Sequence, residues 1–206
     1  MVDIEGKQFA LFWDIDRAKL PSLTFEGRAS WLRQRLDFTL LKPIDAIIER
    51  ETDVFPWLAV AELVCAGIEA LAGFFGNRQH GTGTPFCRFV YAFMHGDFCR
   101  EALDANGELK TYCEHLQAYF RNGLAHGFGI EWGGLWNANA QNLPGYLRPN
   151  ADGRGIAICP RGLLSDFRQA IEAYFDRLVR EGENSLVGRN FAERFEAILQ
   201  GTSKLY

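Results

Sequence analysis

Apolar residues recur at helical spacing along most of this chain. Trp31, Leu32, Leu36, Leu40, Leu41, Ile44, Ile47 and Ile48 share that period and predict a helix up to about Glu51. Ser30 is placed to cap it, and Pro43 should kink or divide it. From Phe55 to Phe75 the chain is apolar on most sides, as expected of the central helix of a bundle, with Gly76 closing it. A third helix is expected over roughly residues 85–98. A fourth is expected over roughly 107–125, with Tyr112, Leu116, Tyr119 and Phe120 as its stripe. A fifth runs from about Arg161 to Glu181, carrying Leu163, Leu164, Phe167, Ile171, Tyr174, Phe175 and Leu178 on one face, and a short last helix covers about 190–199.

Two stretches break the period. Residues 1–29, interrupted by Pro21 and Gly27, read as an irregular N-terminal arm. Between Gly127 and Pro160, Gly, Asn and Pro punctuate short segments. Two of these, Gly129–Trp132 and Gly155–Cys159, predict a small two-stranded element. The pattern as a whole predicts a mainly α fold: an antiparallel helical bundle of about five to six helices with a small two-stranded β insertion. Its parts are an arm over 1–29 and one helical domain over 30–206, with the insertion at about 127–160.

Composition narrows the function classes. The chain has 206 residues, 48% hydrophobic and 23% charged, with a net charge of -4. That balance argues against a broad electrostatic grip on nucleic acid and leaves room for a local basic site. Five cysteines, an odd number without a C-x-x-C pair, fit a reduced intracellular protein. Met1–Gln8 lacks a signal-peptide pattern. The apolar stretch from Phe55 to Phe75 is interrupted by Glu62 and Glu69, which makes it a poor membrane span. The expectation is a cytoplasmic chain with no membrane partner.

The closest gathering of reactive groups is Phe120-Arg121-Asn122-Gly123-Leu124-Ala125-His126-Gly127. A histidine exchanges a proton near neutral pH, and a guanidinium holds a phosphate through paired hydrogen bonds. On a regular helix, residues five apart point roughly 140° away from each other. The pair can serve one site only if the helix loosens between them, for which Gly123 is suited, or if a second copy of the chain completes it. The same residues could instead cap and solvate a helix end.

Phe120–His126 resembles the Arg-x4-His signature of the HEPN superfamily (higher eukaryotes and prokaryotes nucleotide-binding). A buried helix containing Ala66-Gly67-Ile68-Glu69-Ala70-Leu71 upstream fits the resemblance, which covers about residues 30–200. The resemblance implies a helical bundle that forms a homodimer and, in many members, is a metal-independent endoribonuclease of a defence or toxin type. It implies Arg121 and His126 as the catalytic pair and Asn122 as the supporting polar residue. It also implies RNA or a nucleotide as ligand, no cofactor, and an antitoxin-like protein as a partner. Other members are non-catalytic modules that bind a nucleotide or a partner protein.

Further residues have both a functional and a plain reading. Glu62 and Glu69 lie on one face of an apolar helix, and Glu69 could orient Arg121 or His126 or form a structural ion pair. The loop from Gly76 to Pro85 lacks the residue order of a phosphate-binding loop and reads as an interhelical connection. His95, Asp97, Cys99, Glu114 and His115 match no zinc spacing, so no metal site is expected. Arg154, Arg161 and Arg168 could guide RNA or form a solvated face.

Overall fold

The computed structural model describes residues 19–49, 56–76, 84–122, 133–135 and 145–200. The fold is mainly α. Helix α1 (Phe25–Leu36) passes through a π-helical stretch, Asp37–Leu41, into α2 (Lys42–Glu49). Next come α3 (Pro56–Phe75) and α4 (Pro85–Phe93). Strands β1 (Glu101–Leu103) and β2 (Leu109–Thr111) precede α5 (Tyr112–His115), which continues as a π-helix over Leu116–Asn122. Strands β3 (Gly133–Leu135), β4 (Leu147–Pro149) and β5 (Ile156–Ile158) lead to α6 (Pro160–Glu181) and α7 (Leu186–Leu199).

Helix α3 is the hub, packing against α2, α4, α6, α7 and the π-helix of residues 116–122. Val60, Ala61, Val64, Cys65, Ile68, Leu71 and Ala72 face inward and are buried. Gly67 lies where α3 meets its neighbours most closely, since a Cβ there would come within 2.5 Å of Leu40 and 2.7 Å of Phe167. By length and composition alone, Trp57–Phe75 could cross a membrane. In the fold its apolar side lies against the other helices, and Glu62, Ala66, Glu69, Ala70 and Gly73 form a more open stripe.

Several boundaries depart from the sequence pattern. The first helix starts at Phe25 within the expected arm, because Thr24 rather than Ser30 caps it by accepting a hydrogen bond from the Gly27 amide. Leu20, Phe25 and Ala29 are core residues. Pro43 is taken up without ending the helix: the turn before it widens, and the Lys42 amide donates to the Asp37 carbonyl, five residues back. Such a wide turn gives space where a proline ring would otherwise crowd the carbonyl four residues earlier.

The helix expected over residues 85–98 is α4 and stops at Phe93, and His95 caps a short 3-10 turn over Gly96–Cys99. The expected start of the fourth helix is instead a hairpin pairing Glu101 with Thr111 and Leu103 with Leu109. Its turn is made by Asp104, whose carboxylate accepts from the Asn106 and Glu108 amides, and by Gly107 at φ 81°. Three-residue strands are too short for their alternation to outweigh helical spacing on either side.

The Gly155–Cys159 segment contains a strand, as expected. It is the centre of a three-stranded sheet in the order β3-β5-β4, parallel to β3 and antiparallel to β4. The other expected strand, Gly129–Trp132, lies outside the described residues. Tyr146 seats this sheet on α6, where it packs at Gly162 and its hydroxyl donates to Asp166. The last helix begins at Leu186 rather than near Asn190, capped by Ser185.

One core residue makes an unfavourable contribution. Tyr174 is fully buried among Phe75, Phe89, Phe93 and Phe175, and its hydroxyl has no hydrogen-bond partner among the described residues. Tyr174→Phe removes that hydroxyl and keeps the ring. It is expected to raise stability by about 1 kcal/mol in denaturant unfolding. A loss of stability would show that the hydroxyl does find a partner.

Candidate active site

The helix carrying Arg121 is started by a capping box. The Thr111 hydroxyl accepts from the Glu114 amide, and the Glu114 carboxylate accepts from the Thr111 amide at 2.7 Å. The Thr111 amide foremost, with the Thr111 hydroxyl donating to the same carboxylate at 2.9 Å, holds the Glu114 carboxyl below its ordinary range. Tyr112, Cys113, Leu116 and Phe120 then face the core. His115 is also buried, with Nε2 3.2 Å from the Ala102 carbonyl and its ring stacked on Tyr119.

From Leu116 the helix is π-helical through Asn122. Each residue of a π-helix advances by a smaller angle than in an α-turn, because more residues make up one turn. Arg121, next to buried Phe120, reaches α3. There Glu69 takes one edge of the guanidinium. Nε donates to Oε2 at 2.8 Å and Nη2 to Oε1 at 2.6 Å, while Nη1 donates to Asn122 Oδ1 at 2.6 Å. The Arg121 side chain is 22% exposed and that of Glu69 39%. The guanidinium is thus held rigidly, remains open to solvent, and carries more donors than these three bonds use.

Of the residues expected to form a site, Arg121, Asn122 and Glu69 come together. His126 and Gly123 lie outside the described residues. Glu62 is exposed on the same stripe of α3. Cys65 lies behind the pair, where burial and then the Glu62 charge push its thiol up, against the opposing pull of Arg121. A thiol kept protonated in this way is a poor nucleophile.

The other candidates separate. His95 Nδ1 lies 3.7 Å from Asp97, Cys99 is exposed, and His115 is engaged with a carbonyl. Among the described residues no group of three or more His, Cys, Asp or Glu is placed to hold a metal ion. Arg161 stacks over Trp57 at 4.7 Å, and Arg168 pairs with Asp45 at 2.5 Å, so both have partners within the chain. Arg154 sits in the turn between β4 and β5, with its amide on Asp152.

The sequence pattern did not single out two residues beside the site. The Arg194 guanidinium from α7 lies over Gly73, and that of Arg88 from α4 lies over Gly76. Both are distant from Arg121 in sequence, and nothing in local spacing links them. No family model, curated protein or solved structure matches the chain.

Proposed function

We propose that this chain is a metal-independent endoribonuclease of the HEPN type, acting as a homodimer in the cytoplasm in a defence or toxin-like role. The observation that carries this reading is the Arg121 guanidinium, clamped by Glu69 and Asn122 and still open to solvent. A donor fixed before the substrate arrives stabilises charge that develops on a phosphate without reorganising.

In this mechanism His126 accepts the proton of the ribose 2′-hydroxyl or supplies one to the leaving 5′-oxygen. The 2′-oxygen bonds to phosphorus as the bond to the 5′-oxygen breaks, leaving a 2′,3′-cyclic phosphate. Arg121 holds the non-bridging oxygens while their charge builds. A two-fold dimer provides the second histidine or arginine where one helix end alone cannot present both. An antitoxin-like protein would be the natural regulator.

A second reading is favoured by the charge balance at the site. Glu69 already meets the charge of Arg121. That suits a non-catalytic module that binds a nucleotide or a protein partner.

Incubating the purified chain with structured and unstructured RNA in chelator separates the two. The expected result is cut RNA ending in 2′,3′-cyclic phosphate, lost in His126→Ala. Equal cutting by both proteins would sink the assignment, and intact RNA throughout would favour the non-catalytic module.

A further inference from the structure

Three arginines from three different elements lie along one face of α3. Glu69, Gly73 and Gly76 are four and three residues apart, which places them on a single helical stripe. Arg121 binds the first of them. Arg194 reaches the second, with Nε, Nη2 and Cζ within 3.6–3.9 Å of where a Cβ would stand. Arg88 reaches the third, with Cζ and Nη2 at 3.5–3.6 Å. The row spans about 10 Å at the helical rise. On its other side the stripe continues through Ala66 to Glu62, both exposed.

A further observation points to a ligand on this row. The Nε of Arg194 is buried and has no hydrogen-bond partner, and Arg194 forms no ion pair among the described residues. An arginine that leaves a buried N–H unmet is unfavourable for the folded chain by itself. Gly73 is a glycine inside a helix, where alanine is favoured by about 1 kcal/mol. The atoms nearest a Cβ there would be those of the Arg194 guanidinium, at ordinary contact distance. Packing therefore does not demand a glycine here, and without a side chain at 73 the Arg194 guanidinium lies directly over the helix backbone.

We infer that this row is a track for the phosphate backbone of single-stranded RNA, with Arg194 and Arg88 holding phosphates next to the one engaged by Arg121. This deepens the proposed cleavage reading and rests on it. A single strand fits better than a duplex, because the chain carries a net charge of -4 and offers a narrow row of cations rather than a broad basic face. Arg194 and Arg88 are positioning residues, and their loss should weaken binding rather than turnover.

The test uses the full chain carrying His126→Ala, so that RNA stays intact, and a fluorescent oligouridylate. Adding Arg194→Gln should weaken binding about tenfold, and the slope of log K against log salt should fall by about 0.7. Gly73→Glu places a carboxylate beneath the same guanidinium without removing a packed side chain, and should weaken binding similarly. Arg194→Lys should recover part of the loss. Thermal unfolding of each variant identifies any that fails to fold. In the chain with His126 intact, Arg194→Gln should raise KM about tenfold and leave kcat unchanged.

Binding by Arg194→Gln and Gly73→Glu equal to that of the parent would overturn the track. Cleavage with an unchanged KM would overturn it while leaving the endoribonuclease reading in place. Binding that depends on Arg194 in a chain that never cuts RNA would uphold the track and overturn the endoribonuclease reading. A chain that binds no oligouridylate would overturn the track.

Discussion

Arg121→Ala is expected to lower the proposed RNA cleavage by about 10²–10³-fold in kcat, the scale on which enzymes lose rate when one preorganised donor to a developing oxyanion is removed. Stability should change far less. The partner carboxylate of Glu69 is 39% exposed, so water replaces the lost bonds, and an ion pair this open contributes about 1 kcal/mol or less. Measuring single-turnover cleavage beside thermal unfolding separates a catalytic group from a structural one. A variant with lowered melting temperature and full turnover per folded molecule would make the pair a brace between α3 and the π-helix, and the cleavage mechanism would lose the donor that stabilises the phosphate charge.

Glu69→Gln sharpens the same test. The amide still accepts one bond but no longer offers two equivalent oxygens to the guanidinium fork. If Glu69 works through Arg121, its effect on turnover disappears once Arg121 is already alanine. Independent and additive losses would give Glu69 a separate role.

Gly188→Ala should cost about 3 kcal/mol, the upper part of the range for forcing atoms into a packed site. A Cβ at this position would lie 2.2 Å from the Gly182 carbonyl oxygen and 2.8 Å from the Glu183 backbone. These are main-chain atoms at the tight connection between α6 and α7, where Gly182 adopts φ 74° and Ser185 caps the new helix by accepting from the Gly188 amide. No side chain can rotate to make room. For a chain of this length the melting temperature should fall by on the order of 10 °C. An unchanged melting temperature would mean that the connection can move without loss. The effect extends to the proposed site, because α7 carries Arg194 and is anchored to α3 by Phe191 on Phe74 and by the Asn190 side chain donating to the Phe75 carbonyl.

The long helices were legible because their signals are local. The expected spans Phe55–Phe75 and Arg161–Glu181 match α3 and α6 within one residue, since Pro at each start and Gly just past each end are cues held within a few residues. The hairpin over residues 101–111 was not legible, because its strands are three residues long and depend on each other for pairing. Ser30 reads as a cap as readily as Thr24. What favoured Thr24 was burial of Leu20, Phe25 and Ala29 in a core contributed by other helices.

The same division applies to the candidate site. The sequence by itself determined which residues carry usable chemistry: an arginine and an asparagine near a helix end, and a glutamate on an apolar helix. It also determined that an arginine and a histidine five apart cannot share a face of a regular α-helix. Tertiary structure alone decided that Glu69 meets Arg121 across 52 residues of chain, and that Arg194 and Arg88 lie on the same stripe of α3. It also decided that the helix widens into a π-turn where the arginine sits. The reason is physical: periodicity and capping act over one or two turns, whereas contacts between helices depend on how whole faces pack.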